Sequence, residues 1–345
     1  MCPQLVTTMD KLAQIKRPIE SDFRLYDHVY EDTMKGSSGD NPLLTMVLSY
    51  VAAKRGKQLR PILVLLAANM CHGVSDKTLS AAVALEMLHN ASLIHDDVVD
   101  NSDTRRGTDT VHVRWTNKVA ILVGDWMLAK MIGIVGELRN TKILSLVSGM
   151  ARALSSGELL QLHADSSMWI TEEQYFKIIG QKTAALFAAC AEIGAVSSGA
   201  TMKQQTALRE YGWKLGLIFQ MKDDALDYSD SEELGKPTMN DIRDGKATLP
   251  LLVALRRATP EETKHIKELA EELYEHANDL DEQVQAEIEQ EIKAFVIRYD
   301  GVRYVYQQMR AMREEAISIL EAAFHPSETF NSLVLLIEYA INRVY

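Results

Sequence analysis

Residues 80–100 decide the fold: Ser80-Ala-Ala-Val-Ala-Leu-Glu-Met-Leu-His89-Asn-Ala-Ser-Leu-Ile-His-Asp96-Asp97-Val-Val-Asp100. This stretch lies in a run from residue 62 to residue 236 that contains no proline. Proline breaks the interior of helices, and the run is rich in Ala, Leu, Met and Glu, which favour helices. Apolar residues recur at helical spacing, and the alternation typical of strands is hard to find. We therefore predict an all-α protein.

The helical pattern extends to both sides of this run. Pro42 and Pro61 stand where a proline suits the first turn of a helix. Polar segments with glycine predict loops at 101–110 and 231–248. No linker is visible, so we expect one domain over residues 1–345. Helices are expected at 42–54, from about 60, at 76–100, 112–138, 141–164, 171–199 and 202–229, and again within 261–345.

The composition is that of a soluble globular protein. Of the 345 residues, 48 are acidic and 37 are basic, which gives a net charge of −11. Such a chain repels phosphate backbones, so we expect no nucleic-acid partner. The three cysteines form no zinc or disulfide pattern, which favours the cytoplasm. No signal peptide is visible, and Asp125 and Lys130 interrupt the most apolar stretch, 119–138, so we expect no transmembrane segment.

One acidic pattern, D-D-x-x-D, occurs twice. The chain has 22 aspartates, so even one chance occurrence would be unexpected. Residues four apart share a helix face, so the carboxylates of each motif project together and repel one another. A divalent cation relieves this repulsion, and Mg²⁺ prefers oxygen ligands and bridges carboxylates to substrate phosphates. The two motifs are Asp96-Asp97-Val-Val-Asp100 and Asp223-Asp224-Ala-Leu-Asp227.

Basic residues follow each motif in a polar loop. Arg105-Arg106-Gly107 comes after the first motif, and Lys236, Arg243 and Lys246 come after the second. Carboxylates combined with nearby Arg and Lys indicate a phosphorylated ligand, held through a metal on one side and by cations on the other.

Further short motifs stand in order between Arg55 and the C-terminus. They are Gly56-Lys57-Gln-Leu-Arg60-Pro61, Glu86-Met-Leu-His89, Gly124-Asp125, Gly157-Glu158-Leu-Leu-Gln161, Lys182-Thr183-Ala184, Phe219-Gln220 before the second aspartate motif, Gly235-Lys236, and Gly245-Lys246-Ala-Thr248-Leu-Pro250. Together with the two aspartate motifs, this series closely resembles the trans-type polyprenyl (isoprenyl) diphosphate synthases. The resemblance covers most of the chain.

The resemblance implies both a fold and a reaction. The expected fold is the isoprenoid synthase fold, a single all-α domain whose helical bundle surrounds a central elongated cavity, and a homodimer is the usual state. In the expected reaction, an allylic diphosphate loses its diphosphate, and the double bond of isopentenyl diphosphate attacks the resulting carbocation. Loss of a proton then leaves a chain one isoprene unit longer. Both motifs are intact, which favours an active, Mg²⁺-dependent enzyme.

The resemblance also implies roles for individual residues. Asp96, Asp100 and Asp223 would bind Mg²⁺ directly, and Asp97, Asp224 and Asp227 would bind it directly or through another group. Gln220 and Thr183 would border the allylic carbon, where their oxygens can stabilise a cation. The allylic diphosphate would be held by Arg105, Lys182 and Lys246, with Lys236 beside them. Isopentenyl diphosphate would be held by Lys57, Arg60, His89 and Arg106.

The length of the product depends on the helix that carries Asp96. In this family, a bulky aromatic residue one turn before the motif closes the tunnel for the growing chain. Ala91 and Ser92 are small, with Leu88 a further turn away. We therefore predict a long-chain, octaprenyl-like product, with the floor of the tunnel formed on the following helix, at Met127, Met131 or Ile132.

Three alternatives remain open at this point. A class I terpene cyclase also uses aspartate-rich motifs and Mg²⁺, but it needs no second diphosphate site. A metal-dependent phosphohydrolase is suggested by the His95-Asp96 pair, but it would leave the second motif unexplained. The third alternative is a non-catalytic subunit that binds prenyl diphosphates. Lys222 departs from the family pattern, and we expect it to form an ion pair with a neighbouring aspartate.

Overall fold

A computed structural model of the protein describes residues 8–36, 39–165, 168–229, 238–276 and 280–343. Within these ranges the only strands are β1 and β2, two residues each, in one antiparallel hairpin, Thr104–Arg105 and Thr108–Asp109. The prediction of an all-α protein is confirmed. The helices are α1 (Thr8–Lys16), α2 (Glu20–Gly36), α3 (Pro42–Ala53), α4 (Leu59–Cys71), α5 (Asp76–Val99), α6 (Val111–Arg114), α7 (Asn117–Glu137), α8 (Thr141–Asp165), α9 (Glu172–Ile179), α10 (Ala185–Ser197), α11 (Met202–Leu226), α12 (Asn240–Arg243), α13 (Leu249–Arg257), α14 (Pro260–Glu275), α15 (Glu282–Arg298), α16 (Gly301–Glu321) and α17 (Glu328–Asn342).

Several helices begin where polar side chains satisfy the first backbone N–H groups. The Asn41 side chain accepts a hydrogen bond from the Leu44 N–H, and Pro42 follows it as the first residue of α3. Ser75 and Thr78 form a reciprocal capping box at the start of α5. These caps explain why the predicted starts at residues 42 and 76 agree with the structure.

Two predicted helices are interrupted, and four other helices were not predicted. The helix expected at 112–138 is divided after α6, because Thr116 caps a new helix by accepting from the Val119 N–H at 3.2 Å. The helix expected at 171–199 contains a π-helical turn at Gly180–Ala184, between α9 and α10. Helices α1 and α2 lie before Pro42, where none was expected. Helix α12 lies inside the segment expected to be a loop, 231–248, and α13 lies between that segment and residue 261.

The chain groups into two compact units, and residues 1–345 as one domain stay a prediction. The first unit comprises Met1–Gly149, Ala189–Arg209 and Ala323–Leu333. Within it, α5 packs against α2, α4 and α7. Small buried residues on α5, including Ala81, Ala82 and Ala84, permit this close packing.

The second unit comprises Met150–Ala188, Glu210–Ala322 and Val334–Tyr345. Its core includes buried side chains of α13, α14 and α15 that interlock, among them Leu251, Ile266, Leu273, Ile292 and Phe295. This core supports the segment 238–248, because Met239, Ile242 and Ala247 are buried in the same cluster. The loop after the second aspartate motif is therefore anchored by apolar burial where it is described.

Among the described helices, α7 alone combines the length and hydropathy that a membrane crossing requires, with a mean hydropathy of 1.8. Its Val123, Met127, Met131 and Val135 side chains are buried, and α7 packs against α5. The core helix of a soluble protein has the same properties, so this helix by itself is weak support for a membrane span.

Candidate active site

The first aspartate motif forms the C-terminal end of α5. Asp96 is half-buried, and Asp100, whose N–H donates to the Asp96 carbonyl at 2.8 Å, is exposed. Asp97 differs from both, because only 4% of it is exposed. The helical spacing therefore leaves the first and third aspartates accessible and turns the second one inward.

Asp97 is paired with Arg105. The Arg105 Nε donates to the Asp97 Oδ1 at 2.6 Å. Burial raises the pKa of Asp97, and the Arg105 guanidinium opposes that shift. A buried carboxylate needs such a partner, so this ion pair fixes the position of Arg105 beside the motif.

Arg106 is placed by the hairpin turn. Arg106 and Gly107 have φ values of 54° and 72°, which is the pattern of a two-residue type I′ turn between β1 and β2. The Arg106 Nη1 donates to the Lys54 carbonyl at 2.8 Å. A Cβ added at Gly56 would lie 2.5 Å from the Arg106 guanidinium. The glycine before Lys57 thus leaves room for Arg106.

Arg60 and His89 form a second contact in the same unit. The Arg60 Nη1 lies 2.8 Å from the His89 Nε2. Burial lowers the pKa of His89 well below its usual value, and the Arg60 charge lowers it further. The imidazole is therefore neutral, and its Nε2 accepts the hydrogen bond because a guanidinium can only donate. Buried Glu86 offsets the charges of Arg60 and Arg106.

The second aspartate motif lies at the C-terminal end of α11. The Arg343 Nη2 lies 2.7 Å from the Asp223 Oδ1 and donates to the Phe219 carbonyl at 2.8 Å. The expected ion pair of Lys222 is wrong: Lys222 is buried, and its Nζ donates to the Tyr306 hydroxyl at 2.6 Å. Helical spacing turns Lys222 toward α16 instead of toward the carboxylates.

Asp224 is the buried member of the second motif, with 4% of it exposed. Its Oδ2 accepts from the Tyr175 hydroxyl, and its Oδ1 accepts from the Gln220 Nε2 at 2.9 Å. The Gln220 Oε1 in turn accepts from the Thr183 hydroxyl at 2.8 Å. Burial raises the pKa of Asp224 to about 7.

Asp227 accepts hydrogen bonds from the backbone. The N–H groups of Asn240 and Asp241 donate to its two carboxylate oxygens at 3.1 and 3.0 Å. Met239 enters this turn with φ of 63°, a left-handed conformation that side chains rarely adopt. The turn that begins at Met239 therefore directs two backbone N–H donors toward the second aspartate motif.

Lys182 and Thr183 lie in the π-helical turn Gly180–Ala184. The Lys182 Nζ donates to Glu158 of α8 at 2.7 Å. Two glycines let neighbouring helices approach this turn. A Cβ at Gly157 would lie 2.7 Å from the Lys182 backbone nitrogen, and one at Gly216 would lie 2.5 Å from the Ala184 Cα.

A cavity of about 110 Å³ opens beside these groups in the second unit. Burial raises the pKa of Asp241, the charges of Asp224 and Asp227 raise it further, and Lys246 opposes the shift. The Lys246 Nζ also lies 3.1 Å from the Asp244 Oδ2. The polar residues that line the cavity include Tyr175, Lys182, Gln220, Asp224, Asp241 and Lys246.

The residues expected to set product length lie on two lines along the surface of α5, each made of residues four positions apart. Leu88, Ser92 and Asp96 follow one another at intervals of four, and Ser92 is half-buried. Ala91 is fully buried and shares its line with His95. A Cβ at Gly124 of α7 would lie 2.2 Å from the His95 Nε2, so His95 packs closely on α7.

The structure groups the expected site residues within each unit. Arg105 joins the first motif, and Arg106 lies against the loop that contains half-buried Lys57. Of the proposed tunnel-floor residues, Met127 and Met131 are buried, but Ile132 is 61% exposed. Lys236 lies outside the described residues. Tyr175, Arg343, Glu158 and Asp241 were given no individual role from the sequence, because their contacts join segments far apart in the chain.

Metal binding rests on the chemistry of the donors. Within the described parts of the chain, no three His, Cys, Asp or Glu side chains are grouped closely enough to bind a metal ion by themselves. Asp96, Asp100 and Asp223 still offer accessible carboxylate oxygens, which are the ligands that Mg²⁺ prefers. Mg²⁺ commonly keeps several waters and takes other ligands from a substrate phosphate, so the donors of each motif fit this ion.

Comparisons with known proteins agree with this arrangement. The family model for polyprenyl synthetase matches residues 41–288. The octaprenyl diphosphate synthase of Haemophilus influenzae is 31% identical to this chain, over 92% of this chain and 93% of its own. The geranylgeranyl diphosphate synthase of Saccharolobus solfataricus is 33% identical, over 84% of this chain and 86% of its own.

A solved structure extends the comparison to the fold. The polyprenyl synthase of Caulobacter crescentus CB15, in complex with calcium and isoprenyl diphosphate, superposes with a TM-score of 0.86 at 32% identity. The match covers 97% of this chain and 98% of that one. The resemblance inferred from the motifs and the isoprenoid synthase fold are confirmed.

The buried carboxyl of Asp224 predicts a pH dependence of stability. Its pKa is about 7 in the folded protein against 3.8 in the reference state, so the folded state binds more protons between those values. The free energy of unfolding therefore falls as the pH rises through that window. In Asp224→Asn the amide mimics the protonated acid. We expect it to raise the Tm of the metal-free protein at pH 8 by about 2 °C or more, which corresponds to about 1 kcal/mol.

Thermal melts with a chelator, at pH 5 and pH 8, check this expectation. The control is Asp100→Asn, which makes the same change at an exposed position of the other motif. A gain in Tm for Asp224→Asn that is equal at both pH values would contradict the pKa argument.

Proposed function

The chain belongs to the polyprenyl synthetase family, whose members are prenyltransferases, and we propose that it condenses isopentenyl diphosphate with an allylic diphosphate. The condensation is head-to-tail and trans, and the product is a long-chain, octaprenyl-like polyprenyl diphosphate. The single observation that carries this proposal is that each aspartate motif lies beside basic side chains in its own unit. Two aspartate motifs, each with basic side chains beside it, suit a reaction between two diphosphate substrates, whereas a terpene cyclase needs only one diphosphate substrate.

Mg²⁺ is the proposed cofactor, with Asp96, Asp100 and Asp223 as its ligands. When bound, it would supply positive charge that offsets the charge developing on the departing diphosphate. Arg343 already contacts Asp223 and holds that carboxylate in place. Asp97, Asp224 and Asp227 are proposed to act through the groups that they hold.

The basic side chains divide between the two substrates in this proposal. Lys182, Lys246 and Arg105 bind the allylic diphosphate, and Lys182 is oriented by Glu158. Arg60, Arg106, His89 and Lys57 bind isopentenyl diphosphate. His89 is neutral and accepts from Arg60, which leaves its other ring nitrogen to carry the proton and to donate. Gln220 and Thr183 contribute oxygen atoms beside the allylic carbon.

The first test is direct. Incubation with isopentenyl diphosphate, an allylic primer and Mg²⁺ should release diphosphate and yield a lengthened polyprenyl diphosphate. Asp223→Ala should lower turnover by roughly 100-fold or more, because it removes a group that acts on charge developing in the transition state. Asp32→Ala, at an exposed aspartate of α2, is the control and should keep the wild-type rate.

The alternatives predict other outcomes in the same assay. A terpene cyclase would consume the allylic diphosphate alone and release a hydrocarbon. A phosphohydrolase would release phosphate from either substrate, and a non-catalytic subunit would bind the substrates without turnover. Wild-type turnover in Asp223→Ala at saturating Mg²⁺ would remove the second motif from the mechanism.

The proposed product length rests on α5. Relatives of nearly equal identity make octaprenyl and geranylgeranyl products, so identity alone leaves the length undecided. Ser92 is small, half-buried and one turn from Asp96 on the same line of the helix. A growing chain can pass such a residue, whereas an aromatic ring would block it.

We expect Ser92→Phe to shift the product to farnesyl or geranylgeranyl diphosphate at a comparable rate of the first condensation. The ring blocks the chain below the diphosphate contacts. Ala91→Phe is the companion variant. Because Ala91 is fully buried on the line of His95, the added ring should also cost about 1–3 kcal/mol of stability. Chromatographic sizing of the products checks both, and an unchanged long product from Ser92→Phe would show that α5 does not set the length.

A homodimer is proposed through the outer face of α7. Small residues on that face permit close approach of a second helix, since nothing lies within 4 Å of a Cβ added at Gly133 or Gly136. Large apolar side chains flank them: Ile121, Leu122 and Ile132 are 43%, 57% and 61% exposed. An apolar helix face of this kind is costly to leave in water.

We expect Ile132→Glu to convert the dimer into a monomer, because a charge would be buried at the centre of the contact. Light scattering should then give a mass near the 38.7 kDa of one chain, against twice that for the wild type. Ile297→Glu is the matched control, since Ile297 of α15 is exposed to a similar extent, 57%. Equal masses for both variants would exclude this face of α7.

The remaining expectations concern location. We propose a cytoplasmic enzyme with no transmembrane segment, because the apolar buried side of α7 is used in packing against α5. The net charge of −11 supports the absence of a nucleic-acid partner.

A further inference from the structure

Tyr175 is a buried residue for which the reaction described above has no role. Only 3% of it is exposed, and its hydroxyl donates to the Asp224 Oδ2. It lies in α9, whose start is held by a capping box between Thr171 and Gln174. The π-helical turn that contains Thr183 follows α9 directly.

Tyr175 and Thr183 form hydrogen bonds with α11 at two points. Tyr175 contacts Asp224, and Thr183 contacts Gln220 one helical turn earlier. The Gln220 Nε2 donates to the Asp224 Oδ1 at 2.9 Å, which closes a ring of hydrogen bonds between the two segments. The close approach of Gly216 to Ala184 brings the backbones together at this place.

The chemistry of the groups fixes the direction of each hydrogen bond. An amide NH₂ can only donate, so Asp224 accepts at its Oδ1 from the NH₂ of Gln220. Its carbonyl oxygen then faces Thr183, whose hydroxyl must donate to it. Tyr175 donates to the second carboxylate oxygen and so prevents the carboxylate of Asp224 from rotating away from Gln220.

We propose that Tyr175 is a positioning residue for the prenyl transfer. Through Asp224 it sets which end of the Gln220 amide faces Thr183, and it thereby orients two oxygen atoms beside the allylic carbon. This inference rests on the proposed roles of Gln220 and Thr183. It assigns Asp224 to the orientation of the amide, in contrast to Asp223, whose carboxylate is only half-buried.

A merely structural tyrosine would behave differently from a positioning one. Loss of a structural hydrogen bond lowers stability and leaves the kinetics of the folded fraction unchanged. Loss of a positioning contact lowers kcat, because the amide can rotate and present NH₂ groups to a developing cation. Misplacement of a reacting group by about 1 Å can cost about 100-fold in rate.

The test compares Tyr175→Phe with Tyr304→Phe. Both remove one hydroxyl that donates to a carboxylate in the same unit, since the Tyr304 hydroxyl donates to the Glu172 Oε1 of α9 at 2.9 Å. We expect Tyr175→Phe to lower kcat by roughly 10- to 100-fold with KM values for both diphosphates within about 2-fold. Tyr304→Phe should leave kcat unchanged.

Calorimetric titration with Mg²⁺ and inorganic pyrophosphate supplies a readout besides activity. Tyr175→Phe should bind both as the wild type does, because the carboxylates of Asp96, Asp100 and Asp223 are untouched. A double-mutant cycle with Gln220→Leu should show that Tyr175→Phe has no further effect once the amide is gone.

Other outcomes would overturn the inference. They are a wild-type kcat in Tyr175→Phe, equal losses in both tyrosine variants, additive losses in the cycle, or a Tyr175→Phe protein that does not fold. Weakened binding of Mg²⁺ and pyrophosphate would place Tyr175 with the metal ligands instead. If the wild-type protein makes no polyprenyl product, the proposed function itself is rejected. That result differs from the outcomes above, which concern only differences between the variants and the wild type.

Discussion

Burial of one carboxylate in each aspartate motif is the constraint on which the rest of the site depends. A D-D-x-x-D sequence at a helix end has two accessible positions and one that the helix turns inward. Asp97 and Asp224 are these inward residues, and a buried carboxylate must be compensated. Arg105 compensates the first, and Tyr175 with Gln220 compensates the second. In both units, the partner that compensates the buried carboxylate is held in place by this contact. The proposed reaction uses that partner, Arg105 in one unit and Gln220 in the other.

Unusual backbone conformations supply the remaining positions. A type I′ turn at Arg106-Gly107 places the Arg106 guanidinium against the loop that contains Gly56. A π-helical turn places Lys182 beside Glu158. Left-handed Met239 starts the turn that directs two N–H groups to Asp227. Regular helices therefore form the frame, and short departures from helical geometry place the functional groups. The glycines at 157 and 216 allow backbones to approach at these departures.

The sequence predicted the helices well where a local signal existed. Pro42 and Pro61 marked the starts of α3 and α4, Ser75 marked the start of α5, and a polar segment with one glycine marked the loop after α5. The π-helical turn was not predicted, because no local sequence pattern distinguishes it from an ordinary helix; close contacts with α8 and α11 surround it. Lys222 was given the wrong partner, since proximity in sequence to Asp223 says nothing about which side of α11 faces Tyr306.

Sequence by itself determined the fold class, the family and the two aspartate motifs, because helix propensity and motif spacing are local properties of the chain. It also determined which residue types could bind a metal and a diphosphate. The tertiary structure alone decided that Asp97 and Asp224 are buried, that His89 is neutral beside Arg60, and that Tyr175 holds Asp224. The partners in these contacts are separated by 8 to 49 residues, so no local pattern records them. Such contacts arise only when packing brings distant segments together and burial makes each polar group find a partner.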